Sequence, residues 1–284
     1  MIDKVLRFLP AFPGKQRLAR LIFKKKIEEA NDISILGDYN CTYVLPNIKE
    51  NIGFEIFING IYEKETVDFI IKYMPANKML LDIGANIGAI SIPVCKERKD
   101  IYAICVEAAP WIFEYLKVNT KANEIQNLKL INKAISNESG NQVMFYSPRQ
   151  LFGKGSLSPV FTQNGITVQT ISLIDLVKEY AINDIGLIKI DVEGFEYLAF
   201  AGGGVLLGDV NAPDILFEFV DWAENSSLLV SPGAAQNLLK QFGYHIFLFD
   251  KGIVKHEVET SITTGGCMFF ATKKKNFLLN NYDF

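Results

Sequence analysis

Short apolar segments alternate with longer segments of helical period from residue 78 towards the end of the chain. The apolar segments have the length and composition of buried strands: they are "KMLLDI", "IYAICVE", "LKLIN", "GLIKID", "DILFEF", "YHIFLFD" and "CMFFATK". The intervening "PWIFEYLKVNTKAN", "GFEYLAFAGG" and "PGAAQNLLKQFG" predict helices. Strands that alternate with helices predict an α/β fold, with a mostly parallel sheet covered on both faces.

Two parts of the chain depart from this alternation. In residues 1–76, the apolar positions after Thr66 predict a helix that ends before Pro75. Between the third and fourth strands, "NQVMFYS" and "GITVQTISLIDL" predict added strands around the polar loop "PRQLFGKGSLSP". We therefore predict an N-terminal extension, 1–76, with a role in acceptor recognition or homo-oligomerisation. A domain at 77–284 follows, with an insertion near 141–170.

Charge is distributed unevenly along the chain. The net charge of −3 gives no global attraction to nucleic acid, and none is predicted as a partner. Residues 1–26, however, contain eight Lys or Arg residues against the single acid Asp3. This basic arm predicts peripheral contact with an anionic membrane surface, and the alternative is a solvated surface helix.

Cysteine and histidine usage limits the chemistry. The four cysteines form no CxxC pair, and the two histidines are too few for a His-rich metal site. The first residues lack the apolar core of a signal peptide, and no apolar run reaches the length of a membrane span. The sequence therefore predicts a cytoplasmic protein.

The motif "LLDIGANIGAIS" lies where the first strand ends, at Ile83. Gly84 and Gly88 allow a tight turn and a close approach to a ligand, and a helix is expected after Gly88. In an open α/β sheet, ligands bind beyond the carboxyl ends of the strands. The motif therefore predicts a ligand site, although a tight strand–helix turn without a ligand is the simpler alternative.

The spacing of the glycines restricts the ligand. A dinucleotide fingerprint would carry a third glycine where Asn86 stands, and the lysine of a P-loop is missing. Asp82 disfavours phosphate and suits a cationic group such as an amine. Glu107 ends the second strand, where an acid can accept hydrogen bonds from a ribose diol. A ligand with a ribose, an amine and no phosphate matches S-adenosylmethionine.

At this point the chain resembles a known family. "LLDIGANIGAIS", "VEAAP", "NKAIS" and "IGLIKIDVEGFEYLAFAGG", with "NGIYEKETVDFI" upstream, are similar to the FkbM-type S-adenosylmethionine-dependent methyltransferases. The resemblance covers residues 53–220, and "KIDVEGFE" is its most specific part. It implies a Rossmann-like class I methyltransferase sheet whose last strand is antiparallel. Ala109 departs from the proline often found there in the family, but Pro110 follows it.

The resemblance also implies which residues bind the cofactor. Those that would hold the methionine end are Asp82, Gly84, Ala85, Asn86 and Gly88. Glu107 would hold the ribose. Those that would line the adenine are Ala134 and Ile135, with Lys133.

Three acids at strand ends are the candidates for catalysis. Asp191 lies at the carboxyl end of the fourth strand, where it would also contact the cofactor, and Glu193 begins the following turn. Glu218 lies near the end of the fifth strand, where burial would suit a general base. For Glu193 the alternative is an acid that favours a helix N-terminus. The trio could also supply oxygen ligands to Mg²⁺, so we predict no dedicated metal site and leave a divalent metal open.

Four further residues are candidates for substrate binding: Lys189, Arg149, Lys154 and Trp222. Arg149 and Lys154 could meet a phosphate or an acidic sugar, and the alternative is an ordinary solvated loop.

The resemblance implies an O-methyltransferase that acts on a sugar hydroxyl in a glycan or polysaccharide, or on a small natural product. Two other classes stay open: a metal-dependent nucleotide-sugar glycosyltransferase and a non-catalytic binder.

Overall fold

The structure, a computed structural model, describes residues 14–226, 230–274 and 277. Its helices are α1 (Lys15–Ile22), α2 (Lys24–Glu29), α3 (Asn51–Asn59), α4 (Lys64–Tyr73), α5 (Ser91–Glu97), α6 (Pro110–Ala122), α7 (Leu173–Glu179), α8 (Glu196–Ala201), α9 (Gly204–Gly208), α10 (Asp221–Ser226) and α11 (Ala234–Gln241). No helix within these ranges is long and apolar enough to span a membrane. Residues 1–13 of the predicted basic arm lie outside the described residues.

The strands of the described residues form three sheets. They are β1 (Asn31–Leu36), β2 (Thr42–Asn47), β3 (Met79–Ile83), β4 (Tyr102–Val106), β5 (Leu128–Ile131), β6 (Ala134–Ser136), β7 (Gln142–Tyr146), β8 (Gly165–Ser172), β9 (Ile185–Ile190), β10 (Asp214–Val220), β11 (His245–Asp250), β12 (Ile253–Glu257) and β13 (Gly266–Thr272). The central sheet has the order β12-β11-β13-β10-β9-β3-β4-β5.

The central sheet confirms the predicted fold class. Five neighbouring strands of this sheet are parallel to one another: β5, β4, β3, β9 and β10. Strand β13 is antiparallel to both β10 and β11. The edge strand β12, antiparallel to β11, extends the sheet beyond the prediction. Because β3 lies between β9 and β4, the strand order reverses there, and such a switch opens a crevice at the carboxyl ends.

Apolar side chains cover both faces of this sheet because successive residues of a strand point to opposite sides. In β3, Leu80 packs into one apolar core and Leu81 into the other. In β4, Ala103 and Ile104 divide in the same way. The continuous apolar strands of the sequence are thus explained by burial on two faces.

The segment before β3 packs against the same core. Phe54 of α3 belongs to the apolar cluster that contains Leu80. The Asn119 side chain on α6 accepts a hydrogen bond from the Val44 N–H at 2.6 Å and donates to the Val44 carbonyl at 3.2 Å. Asn123 makes the equivalent pair with Thr42. Side chains on and just after α6 therefore supply the hydrogen-bond partners for backbone groups of β2. The domain division at residue 76 stays a prediction.

The insertion between β5 and β9 forms a small sheet of order β6-β8-β7. The added strands predicted around the polar loop are β7 and β8, and they pair antiparallel. The last four residues of "GITVQTISLIDL" were wrongly predicted as strand, because they form the first residues of α7. The Ser172 hydroxyl accepts a hydrogen bond from the Asp175 N–H at 3.2 Å, and such an N-cap favours a helix start.

Candidate active site

A cleft lies at the carboxyl ends of β3, β4, β9 and β10, and its empty space is about 1070 Å³ when the open solvent at its mouth is included. Its position is the switch point of the sheet, where the glycine motif predicts a ligand site. The predicted residues that line it are Gly84, Ala85, Asn86, Glu107, Lys133, Ala134, Ile135, Lys154, Lys189, Asp191, Glu193 and Glu218. The structure therefore brings most of the predicted site into one cavity.

The glycine motif brings two strand ends close together. Gly84 has a φ of +76°, and a Cβ atom there would lie 1.8 Å from the Asp191 carbonyl oxygen. Only glycine allows this approach between β3 and β9. Gly88 does not line the cavity; a Cβ atom there would meet Ile92 and Leu116, at 2.6 and 2.8 Å. Gly88 thus allows helix packing behind the cavity rather than the predicted direct contact with the cofactor.

Glu107 fixes the turn that follows β3. Its Oε2 accepts a hydrogen bond from the Asn86 N–H at 2.9 Å, and its Oε1 accepts one from the Ala109 N–H at 2.8 Å. Each carboxylate oxygen can accept a further hydrogen bond. Burial raises the pKa of Glu107 to about 7, against the opposing effect of these two donors. Since Glu107 lines the cavity, it fits the predicted ribose contact.

The position of Asp82 contradicts the prediction that it holds the methionine end of the cofactor. Its side chain is fully buried, accepts a hydrogen bond from the Ser91 hydroxyl, and does not line the cavity. The reason is register: Asp82 pairs with Lys189 across β3 and β9, and the Lys189 Nζ lies 3.5 Å from the Asp82 Oδ1. Asp82 therefore acts on the site through Lys189 and not by the predicted contact with the methionine end.

Lys189 is a buried cation in the wall of the cavity. Its Nζ lies 3.5 Å from the Asp191 Oδ2 and 3.4 Å from the Gly84 carbonyl oxygen. Burial opposes its charge, but the carboxylates of Asp82 and Asp191 raise the pKa of Lys189 above its usual value. It therefore stays protonated and holds Asp191 against the end of β3.

The three candidate acids converge. One oxygen from each of Asp191, Glu193 and Glu218 lies within 4.8 Å of the other two. The Glu193 Oε1 forms an ion pair with Lys154 at 2.7 Å, and its Oε2 is buried without a hydrogen-bond partner among the described residues. Oxygens on opposite sides of a hard cation lie roughly 4–5 Å apart, so the trio could also hold a divalent ion.

Glu218 differs from the other two acids. Among the described residues, its carboxyl group has no hydrogen-bond or ion-pair partner. Burial, followed by repulsion from Asp191 and Glu193, raises the pKa of Glu218 to about 9. Burial also raises the pKa of Glu193, to about 7, with Lys154 opposing. Of the three, Glu218 is the carboxyl group free to exchange a proton with a ligand.

Two predicted substrate residues lie away from the cavity wall. Arg149 is exposed, and its guanidinium lies 5.1 Å from the centre of the Trp111 ring, so its predicted contact is not formed in the cavity. Trp222 is 40% exposed and meets Phe161 edge to face. The Lys154 Nζ lies 5.7 Å from the Trp222 ring, which places this ring beside the cavity rather than in it.

The sequence did not single out part of the wall. Glu50, Tyr62 and Phe152 also line the cavity. Glu50 precedes α3 and caps it by accepting from the Ile52 N–H at 2.7 Å. Phe152 is held by Asn86, whose Nδ2 donates to its carbonyl at 3.0 Å. Glu is not among the usual N-cap residues, so the sequence offered no signal for Glu50.

A model of the methyltransferase FkbM domain matches residues 82–246. The chain is 26% identical to the hexuronic acid methyltransferase AglP of Haloferax volcanii, over 52% of this chain and 59% of that protein. It is 25% identical to the methyltransferase sdnD of Sordaria araneosa, over 52% and 66%. The alignments thus span less than two thirds of either relative.

Among solved structures, a precorrin-6y C5,15-methyltransferase from Geobacter metallireducens superposes with a TM-score of 0.40. The two chains are 14% identical over 75% of this chain and 86% of that one. A TM-score this low carries no argument about the fold, which is defined here by the strand order of the central sheet.

Proposed function

The chain belongs to the FkbM methyltransferase family, and from this membership we propose that it is an S-adenosylmethionine-dependent O-methyltransferase acting on a sugar hydroxyl of a glycan or polysaccharide. The observation that carries the choice of a hydroxyl is Glu218, whose carboxyl group lies in the cavity wall and has no hydrogen-bond or ion-pair partner among the described residues. A hydroxyl nucleophile needs such a proton acceptor. The name of the relative AglP, a hexuronic acid methyltransferase, supports a sugar as the acceptor.

The residues present fit the cofactor. When bound, S-adenosylmethionine supplies an electrophilic methyl group next to a positively charged sulfur. Glu107 offers a carboxylate for two neighbouring hydroxyl groups, and the backbone of Gly84 to Asn86 allows a close approach. Ala134 and Ile135 add an apolar wall of the kind an adenine ring needs. No phosphate-binding lysine is required, which agrees with the missing P-loop.

We assign Glu218 the role of general base. Glu193 is engaged by Lys154, and Asp191 lies beside Lys189, so their negative charges are already compensated. With a pKa of about 9, Glu218 ionises at alkaline pH, or at lower pH once a positive charge enters the cavity. It can then remove the proton of the acceptor hydroxyl, while the cavity wall holds the two reactants in line.

The alternatives differ in what they predict. A small natural product as acceptor would use the same base and cofactor site. The glycosyltransferase alternative is set aside by the family match. A non-catalytic binder would hold the cofactor and transfer no methyl group.

Transfer from methyl-¹³C-labelled S-adenosylmethionine tests the proposal. The acceptors are hexuronic acid glycosides, neutral hexose glycosides and small polyols, and NMR detects a new O-methyl carbon. We expect an O-methyl product with one of the sugar classes. Glu218→Gln should lower turnover by about 10²–10⁴-fold while cofactor affinity is kept. Glu224→Gln, a buried acid outside the cavity, is the matched control and should keep turnover.

Three results would contradict the proposal. Transfer to nitrogen or carbon would refute the O-methyltransferase assignment. Cofactor binding without transfer to any acceptor would favour the non-catalytic binder. Full turnover by Glu218→Gln would remove the general base proposed here.

A further inference from the structure

Helix α1 presents its apolar side to solvent. At 100° per residue, Leu18, Leu21 and Ile22 fall within one sector of about 100°. They are 42%, 76% and 51% exposed, whereas Lys15 and Ala19 form the buried side. A surface helix usually buries its apolar side against the core. The orientation of α1 is therefore reversed, and none of the residues that the structure describes covers its apolar sector.

Exposed cations lie beside this sector in the chain. Arg17 lies next to it on α1, and Lys24 and Lys25 follow at the start of α2. All three are exposed, and within the described part of the chain none has a hydrogen-bond or ion-pair partner. Residues 14–29 contain six basic residues against two acids, Glu28 and Glu29. The surface thus combines exposed apolar side chains with excess positive charge.

We propose that α1 docks this protein onto an anionic membrane surface. Leu18, Leu21 and Ile22 would enter the boundary between headgroups and acyl chains. Arg17, Lys24 and Lys25 would contact lipid phosphates. Charge complementarity favours an anionic membrane as the partner. A helix that binds at a membrane interface has an apolar sector flanked by Lys and Arg, and an anionic bilayer attracts both. The eight residues of α1 reach only the interface, so the docking is peripheral and reversible.

The docking helix is connected to the cavity. The Arg20 guanidinium lies 3.9 Å from the centre of the Phe54 ring, and its Nη1 donates to the Lys49 carbonyl at 3.3 Å. Glu50, the next residue, lines the cavity. Docking would therefore hold the cavity near the bilayer, where an acceptor glycan carried on a lipid would be within reach. That acceptor class rests on the proposed function, whereas the docking does not.

Vesicle co-sedimentation of the full chain tests the docking without any methyl transfer. The probes are phosphatidylcholine vesicles with and without phosphatidylglycerol. We expect binding only when phosphatidylglycerol is present. Binding should weaken as salt rises from about 0.1 to 1 M, because the screening length falls from roughly 10 to 3 Å. Two double variants, Leu21→Ser with Ile22→Ser and Lys24→Glu with Lys25→Glu, should each lower the partition coefficient about tenfold or more.

Matched controls separate a general surface effect from the docking surface. Val210→Ser removes an equally exposed apolar residue elsewhere, and Lys121→Glu reverses an exposed charge on α6. Both should bind like the wild type. No binding to phosphatidylglycerol vesicles would overturn the proposal, as would unchanged binding by the Leu21 and Ile22 variant. Self-association that is lost in that variant, measured by sedimentation equilibrium, would identify a second copy as the occupant instead.

Discussion

Replacement of Gly84 by alanine tests the close approach that shapes the cofactor site. The added Cβ atom would lie 1.8 Å from the Asp191 carbonyl oxygen, although real Cβ contacts are essentially never shorter than 3.0 Å. The end of β3 and the residue after β9 must therefore separate by about 1.2 Å, the difference between these distances. The Asp191 N–H donates to the Ile83 carbonyl at 3.1 Å, so this shift also disturbs the junction between the strands.

The expected loss of stability has two parts. An alanine at a φ of +76° costs about 1–2 kcal/mol, because its side chain crowds the backbone in the left-handed region. Overpacking against the Asp191 carbonyl adds about 1–3 kcal/mol. We therefore expect Gly84→Ala to lower the free energy of unfolding by roughly 2–5 kcal/mol. It should also weaken the binding of S-adenosylhomocysteine at least about tenfold.

Gly140→Ala is the matched control. Gly140 has a φ of +84°, but a Cβ atom there meets nothing within 4 Å. This variant should lose only about 1–2 kcal/mol and should keep the cofactor affinity. Urea denaturation followed by circular dichroism gives the two stabilities, and calorimetry gives the affinities. Equal losses of stability, together with an unchanged affinity in Gly84→Ala, would refute the clash and its role in the site.

Three further outcomes follow from the site. Glu107→Ala should weaken S-adenosylhomocysteine binding tenfold or more, about 1.4 kcal/mol, and unchanged calorimetry would exclude the ribose contact. Turnover per bound cofactor should rise with pH while Glu218 ionises, and Glu218→Gln should abolish that rise. The folded pKa of Glu218, about 9, exceeds its ordinary value of 4.5, so the folded state binds more protons between these values and stability falls as pH rises. Glu218→Gln should therefore raise the free energy of unfolding at pH 8 by several kcal/mol, with an upper limit of about 4–5 kcal/mol from 3.5 pH units at about 1.4 kcal/mol each. An equal gain at pH 4 would contradict this origin.

The sequence predicts the sheet well because its signals are local. Each apolar segment is long enough to form a strand, and parallel strands bring their carboxyl ends to one edge. Asp191 and Glu218 lie at or near such ends, so their meeting in the cavity follows from the order of the strands alone. Asp82 stands inside β3, where the alternation of side chains decides its direction. That alternation turns it towards Ser91 and Lys189 and away from the cavity.

The rest of the site depends on contacts between distant parts of the chain. Glu50 and Tyr62 reach the cavity from the segment before β3, and no periodic pattern predicts where that segment packs. Lys154 and Arg149 are close in one irregular loop, yet only Lys154 lines the cavity. The path of such a loop is set by individual hydrogen bonds, for example that from Asn86 to the Phe152 carbonyl.

Asn86 stands where a dinucleotide-binding turn would carry glycine, and its backbone and side chain hold different parts of the wall. Its N–H binds Glu107, and its side chain holds the carbonyl of Phe152, which lies in the same loop as Lys154. A cofactor that fixes the contact between Asn86 and Glu107 also restricts the contact between Asn86 and Phe152. We therefore expect the cofactor and the acceptor to bind cooperatively. Thermodynamic linkage then requires reciprocity: the factor by which the cofactor raises affinity for the acceptor equals the factor by which the acceptor raises affinity for the cofactor.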